Sequence, residues 1–290
     1  YRDNYNTGAA SVGNYGARYA GALGNSLKIQ ACGGTAAFAA TTVTTTNGTT
    51  AILGTSVEVT LGEKFIVGDI ITAIGSDAVR YKISAITFDS GATGAATVTI
   101  AQEDDSTQGL AVAVSNNSNI SREWEHAGLF SKAPGTSTYA SGRASAGVTD
   151  EIHIVVTDED GLISGIPGTV LEIYEALSKA SDAKDEFGTT NYYVTVLENK
   201  SSYVYWLDHS STFGSAGSAA SGVTFGTGTL PDSLSFTNGS DGRQPTTGQK
   251  ILAWDTHFGS ADNQDISLMI SGSGQADSGS GSAVFTRAET

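Results

Sequence analysis

A chain of 290 residues with 30 Asp plus Glu against 15 scattered Lys plus Arg carries a formal charge of -15. It would repel a phosphate backbone, so nucleic-acid binding is not expected. Cys32 is the only cysteine, which excludes an intrachain disulfide and a cysteine-built zinc site and fits a reducing compartment. The 39% hydrophobic share supports a folded protein, long enough for a main domain carrying an insertion. No apolar run reaches the roughly 18 to 20 residues of a membrane span. The start, Tyr1-Arg2-Asp3-Asn4, lacks the basic-then-apolar pattern of a signal peptide. Synthesis in the cytoplasm without membrane insertion is expected, and the Asn-x-Ser/Thr triplets at Asn47, Asn119, Asn199 and Asn238 then carry little weight.

In chain order, Ala17 to Asn25 reads as a structured loop entering a short alternating strand at Leu27–Cys32. From 35 to 119 short β-branched runs, at 57–59, 70–74, 81–86 and 97–100, are broken by Gly68-Asp69, Gly75-Ser76-Asp77 and Ser90-Gly91. That texture predicts antiparallel hairpins in a small sandwich or barrel, with 41–50 and 104–109 as its loops. Residues 124–147 read as an extended crossing. Ile152 to Thr157 reads as a buried strand ending in the turn Asp158-Glu159-Asp160-Gly161.

Thr169-Val170-Leu171-Glu172 has the form of a capping box, preceded by Pro167-Gly168. With Val170, Ile173, Tyr174, Leu177 and Ala180 at helical spacing, it predicts a helix ending near Phe187-Gly188. Residues 192–197 then read as a strand, giving a strand, helix, strand unit that favours a right-handed parallel crossover. A further strand is predicted at 203–207 and a long Gly/Ser/Thr loop, with at most one hairpin, at 210–248. A short helix at 249–258, a strand at 265–270 and a mobile tail complete the pattern.

Catalytic and cofactor chemistry finds no firm footing. Aligned as a calcium loop, Asp158, Asp160 and Gly161 place Val156 at the first ligand position and Pro167 at the last, so the motif fails. His126, His153, His209 and His257 form no close metal-binding pair. Asp208-His209-Ser210 gathers triad residue types, but adjacency in sequence is not convergence in space. Gly272-Ser273-Gly274 and Gly279-Ser280-Gly281 do not fit a nucleophile elbow, and no phosphate-cradling or dinucleotide glycine motif is present. Glu123 and Glu125, flanking Trp124, make no convincing acid/base pair. No catalytic residue, cofactor or metal site is expected.

Two stretches resemble a known family. Ala17-Arg18-Tyr19-Ala20-Gly21-Ala22-Leu23-Gly24-Asn25-Ser26-Leu27-Lys28-Ile29 is similar to a segment of contractile tail sheath proteins, with Ala20 where proline is usual. Val156 to Glu172, continuing through 191–194 and 199–204, resembles the sheath core of large myovirus-type bacteriophages, including those of cyanobacteria. Its motif positions, taken as structural, are Arg18, Tyr19, Gly21, Gly24, Asn25, Asp158, Gly161, Gly165, Pro167, Gly168, Thr169, Glu172, Ser202 and Tyr203. The resemblance implies a subtilisin-like mixed α and β core without protease activity, built from 1–34 and 120–290. The β-rich residues 35–119 would then be an inserted, protruding domain. It also implies a virion tail protein whose partners are other sheath subunits, the tail tube, the baseplate and the tail terminator. The chain is expected to be a trimmed, monomeric piece lacking the linking arms. A β-rich adhesion module and an α/β hydrolase are the alternatives.

Overall fold

A computed structural model describes residues 13–19, 21–143 and 148–241. The helix and strand expected at 249–258 and 265–270, the tail and His257 lie outside them. Among the described residues the chain is mostly β, with three antiparallel sheets and a few short helices, so the expected mixed α and β class fits only loosely.

The central sheet has the order β10-β9-β2-β12, where β2 is Leu27–Cys32, β9 Glu151–Asp158, β10 Thr169–Ser178 and β12 Asp232–Ser235. Every residue of β9 is buried, as a central strand covered on both faces requires. Ile152, Ile154 and Val156 pack with Leu27, Ile29, Tyr193 and Leu197, while Val155 on the other face joins Cys32, Trp124 and Phe130. His153 shares that second face, stacked on Phe130 with ring centroids 4.2 Å apart. Its Nδ1 accepts the Ala176 N–H (2.9 Å), so Nε2 carries the proton toward the Lys132 carbonyl (2.8 Å). Burial pushes its pKa down, which keeps the ring neutral.

Two sequence expectations are overturned beside this sheet. The capping box at Thr169 starts no helix: residues 169–178 are β10, an antiparallel partner of β9. The Thr169 hydroxyl donates to the Ile166 carbonyl (2.7 Å) instead of capping a helix start. Conversely, the β-branched run expected as a strand is the helix α3, Tyr193–Lys200, with Tyr193, Val194, Val196 and Leu197 buried. The expected parallel crossover is therefore an antiparallel hairpin followed by a helix. β11, Val204–Trp206, comes next and pairs with β1, Tyr15–Ala17.

The second large sheet is built wholly from residues 39–123, in the order β3-β8-β5-β6-β7-β4. These strands are β3 Ala39–Thr45, β4 Ser56–Val59, β5 Ile70–Ile74, β6 Tyr81–Phe88, β7 Ala96–Gln102 and β8 Asn119–Glu123. β3 occupies part of what was expected to be loop at 41–50. Its end meets β4: Thr46 bridges Val59, the Asn47 N–H donates to Glu58 O (2.8 Å), and the Thr60 N–H donates to Thr45 O (3.0 Å). The sheet thus curls until its two edges touch. Period-two alternation sends Val57, Val59, Tyr81, Ile83, Ala96, Val98 and Ile100 into one apolar interior.

This module enters through α1, Thr35–Phe38, and leaves at Trp124. A buried ion pair sits at that junction: Arg122 Nη1 donates to Asp69 Oδ2 (3.0 Å), and Nη2 reaches the carbonyls of Ala37 (2.6 Å) and Ala36 (3.1 Å). The interval 124–147 includes a 3-10 turn at Ala127–Leu129 and a one-turn helix, α2, at Thr138–Ser141.

Candidate functional site

The two stretches that resemble sheath proteins, more than a hundred residues apart, fold onto each other around one end of the central sheet. Asp158, the last residue of β9, is the hub. Its Oδ1 accepts from the Ser26 hydroxyl, and its Oδ2 from Ile163 N–H (3.0 Å), Ser164 N–H (2.6 Å) and the Ser164 hydroxyl (2.7 Å). Ser26 Oγ in turn accepts Leu162 N–H (3.1 Å). Burial would raise the Asp158 pKa, but the donors from Ser26, Ser164 and Ile163 outweigh it and hold the carboxyl down at about 2.

The hub explains the residues between 161 and 169. The Gly168 N–H bonds to the Asp158 carbonyl (2.7 Å), and the Gly165 N–H closes on Gly161 (2.9 Å). Gly161 has φ +77°, and a Cβ there would stand 2.6 Å from the Pro167 nitrogen. Gly161→Ala is therefore expected to lose about 1–3 kcal/mol of stability, from left-handed backbone strain plus the clash. Urea unfolding checks this; an unchanged midpoint would mean that the loop can open without loss.

Glu172 and Arg18 fasten the other side. In place of the expected cap, the Glu172 carboxylate crosses to the turn after α3, taking the Ser201 hydroxyl (2.7 Å) and the Ser202 N–H (2.6 Å). Arg18 Nε donates to the Val204 carbonyl (2.9 Å), and its Nη2 to the carbonyls of Glu198 (2.8 Å) and Leu197 (3.4 Å). A cation thus sits on carbonyls of the last turn of α3, where the helix end carries partial negative charge. The guanidinium also lies 4.0 Å from the Tyr205 ring centroid. Tyr19 and Tyr203 pack beside it at 5.8 Å.

Asn25 clamps a third segment: its Nδ2 donates to Gly239 O (2.9 Å) and its Oδ1 accepts Gly239 N–H (2.7 Å). Gly21 accepts from Gly24 N–H (3.3 Å), and a Cβ on Gly24 would stand 2.5 Å from the Tyr19 carbonyl. The structure therefore brings the motif residues together as a set of fastenings. Ser26, Ser164 and Ser201 lay inside the quoted stretches but were not singled out, although each donates its hydroxyl to the carboxylate of Asp158 or Glu172.

The other sequence candidates do not converge in this way. The Asp208 carboxylate accepts the backbone N–H of His209 (2.7 Å), the His209 ring meets Tyr193 OH (2.6 Å), and Ser210 Oγ accepts Thr212 N–H (3.2 Å). Glu123 pairs with Arg80 (3.0 Å). Glu125 accepts from Gln30 (2.6 Å) and faces Lys82 (3.5 Å) and Lys28 (4.0 Å). It lies in an open cleft of about 580 Å³ between the central sheet and the β module, also lined by His126, Glu103 and Glu159. Gly272 to Gly281 lie outside the described residues. Among those described, no group of three or more His, Cys, Asp or Glu is arranged to hold a metal, and no helix is long and apolar enough to cross a membrane.

Comparison with protein-family models, curated proteins and solved structures returned no match.

Proposed function

We propose that this chain is the structural core of a contractile tail sheath subunit, which stacks in helical rings around a tail tube and shortens to drive the tube through a host envelope. The supporting observation is the mutual fastening of the two sheath-like stretches, Arg18 onto Val204 and Glu198, and Ser26 onto Asp158. Contraction requires subunits that stay rigid while the contacts between them change, and fastenings between distant parts of one chain supply rigidity. The role is mechanical, with neighbouring subunits, tube, baseplate and terminator as partners and the virion tail as location. The subtilisin-like description has less support, because residues 152–197 make an antiparallel hairpin and a helix where a strand, helix, strand unit was expected.

A second reading, adhesion, draws on the β module. Ile52 and Leu53 are 58% and 64% exposed at the end away from the α1 and Trp124 junction. Electron microscopy of particles carrying the gene product, gold-labelled with an antibody against this chain, separates the two. Label repeating along the tail, with a spacing that shortens on contraction, is the expected result. Label confined to fibre tips or to a cell surface would overturn the sheath reading in favour of adhesion.

A further inference from the structure

The chain contains two nearly identical tetrapeptides, Thr46-Asn47-Gly48-Thr49 and Thr237-Asn238-Gly239-Ser240, with both asparagines exposed. Asn-Gly is the dipeptide in which the following backbone nitrogen most readily reaches the side-chain amide, because glycine has no Cβ in the way. Local sequence alone gives the two sites similar reactivity. The fold separates them. Gly239 is held on both its N–H and its carbonyl by the Asn25 amide, at 2.7 and 2.9 Å. Among the described residues the Gly48 N–H has no hydrogen-bond partner. It lies in the turn after β3, where, among the described residues, Asn47 itself is held by its own N–H to Glu58 O (2.8 Å).

We infer that Asn47 is a site of spontaneous deamidation and that the Asn25 clamp protects Asn238. The Gly48 nitrogen bonds to Asn47 Cγ as the Cγ–Nδ2 bond breaks. Ammonia leaves with the Gly48 proton, and water opens the succinimide at either carbonyl to aspartate or isoaspartate. No oxidant or cofactor enters. The product carboxylate falls in a surface with no ionisable side chain from Val43 to Val57 or from Ser106 to Ser121, close to Glu58, whose Oε2 is 3.2 Å from the position of a Gly48 Cβ. Isoaspartate also lengthens the backbone beside the Thr46–Val59 bridge, so the change loosens the closure of the β module.

The test is peptide mapping by mass spectrometry after incubating the folded chain, the urea-unfolded chain and Asn25→Ala in mildly alkaline buffer. In the folded chain Asn47 should convert about tenfold faster than Asn238, since opening the clamp breaks two hydrogen bonds, whereas in urea the two rates converge. Asn25→Ala should raise conversion at Asn238 and leave Asn47 unchanged. Equal rates in the folded wild type, or a slower Asn47, would overturn the inference. That comparison decides even if the Asn25 variant does not fold; a folded Asn25→Ala with Asn238 still protected would overturn the role of the clamp.

Discussion

Asp158→Ala is expected to destabilise the fold by about 3–5 kcal/mol, since it removes several hydrogen bonds to a buried charged group, each worth about 1.5–3 kcal/mol before the more exposed donors recover water. The donors left behind are the N–H groups of Ile163 and Ser164 and the hydroxyl of Ser26, and none has another carboxylate to turn to. Against a net stability of about 5–15 kcal/mol for a typical domain, such a loss is large. Asp158→Asn keeps the shape but presents an NH2 to groups that are themselves donors, so it should recover only part. The pH dependence follows from the same contacts. With the folded pKa at about 2, below the unfolded value of about 3.9, the contribution is complete above the unfolded pKa. It is lost as pH falls through about 2. Denaturant unfolding of wild type and Asp158→Asn across this range should therefore give curves that converge in acid; a constant separation down to pH 2 would show that the carboxylate charge is not what holds the loop.

The β module was largely legible in the sequence because its strands alternate: Tyr81 and Ile83, or Val98 and Ile100, point inward at every second position. β10 was misread for a physical reason. It carries bulges between Val170 and Glu172 and between Tyr174 and Leu177, and each adds a residue to the alternation. Apolar positions at 170, 173, 174 and 177 then imitate the helical spacing of i, i+3, i+4 and i+7. Glu172, which completed the apparent capping box, finds its donors across the fold at Ser201 and Ser202, a pairing invisible to local pattern. α3 shows the opposite case. Tyr193, Val194, Thr195 and Val196 favour a strand, yet the buried positions 193, 194, 196 and 197 fall on one helical face against the central sheet, and Arg18, distant in sequence, joins the helix's own Lys200 as a cation at its C-terminal end. Tertiary packing overrides weak local preference in both elements.

At the candidate site, the resemblance marked most of the residues that the fold gathers, but not what they do. Asp158 reads locally as the first residue of an acidic turn, whereas the fold buries it under donors from both stretches. Arg122 and Asp69 left no mark in the sequence, because Asp69 reads as half of a Gly-Asp turn and Arg122 falls between the β-rich stretch and the extended crossing, where no pattern singles it out. Only the closure of β5 against β8 brings them together.

Arg122→Met should therefore show a second large effect, about 3–5 kcal/mol, because it strands a buried carboxylate without its cation. Asp69 is already under strain: burial pushes its pKa up to about 6 against the pull of Arg122, and its Oδ1 is buried without a hydrogen-bond partner. Since the folded pKa exceeds the unfolded one, the contribution of Asp69 is complete below about pH 3.9 and is lost as pH rises through about 6. Removing Arg122 takes away the one cation that lowers this pKa, so the variant should lose more stability at pH 8 than at pH 5, where Asp69 is protonated and needs no partner. Adding Asp69→Asn should restore part of the loss at pH 8 and little at pH 5. Restoration stays partial because the carbonyls of Ala36 and Ala37 still lack the donor that Arg122 gave them. Equal losses at both pH values would place the effect of Arg122 in those carbonyl contacts and in packing, with the ion pair contributing nothing of its own.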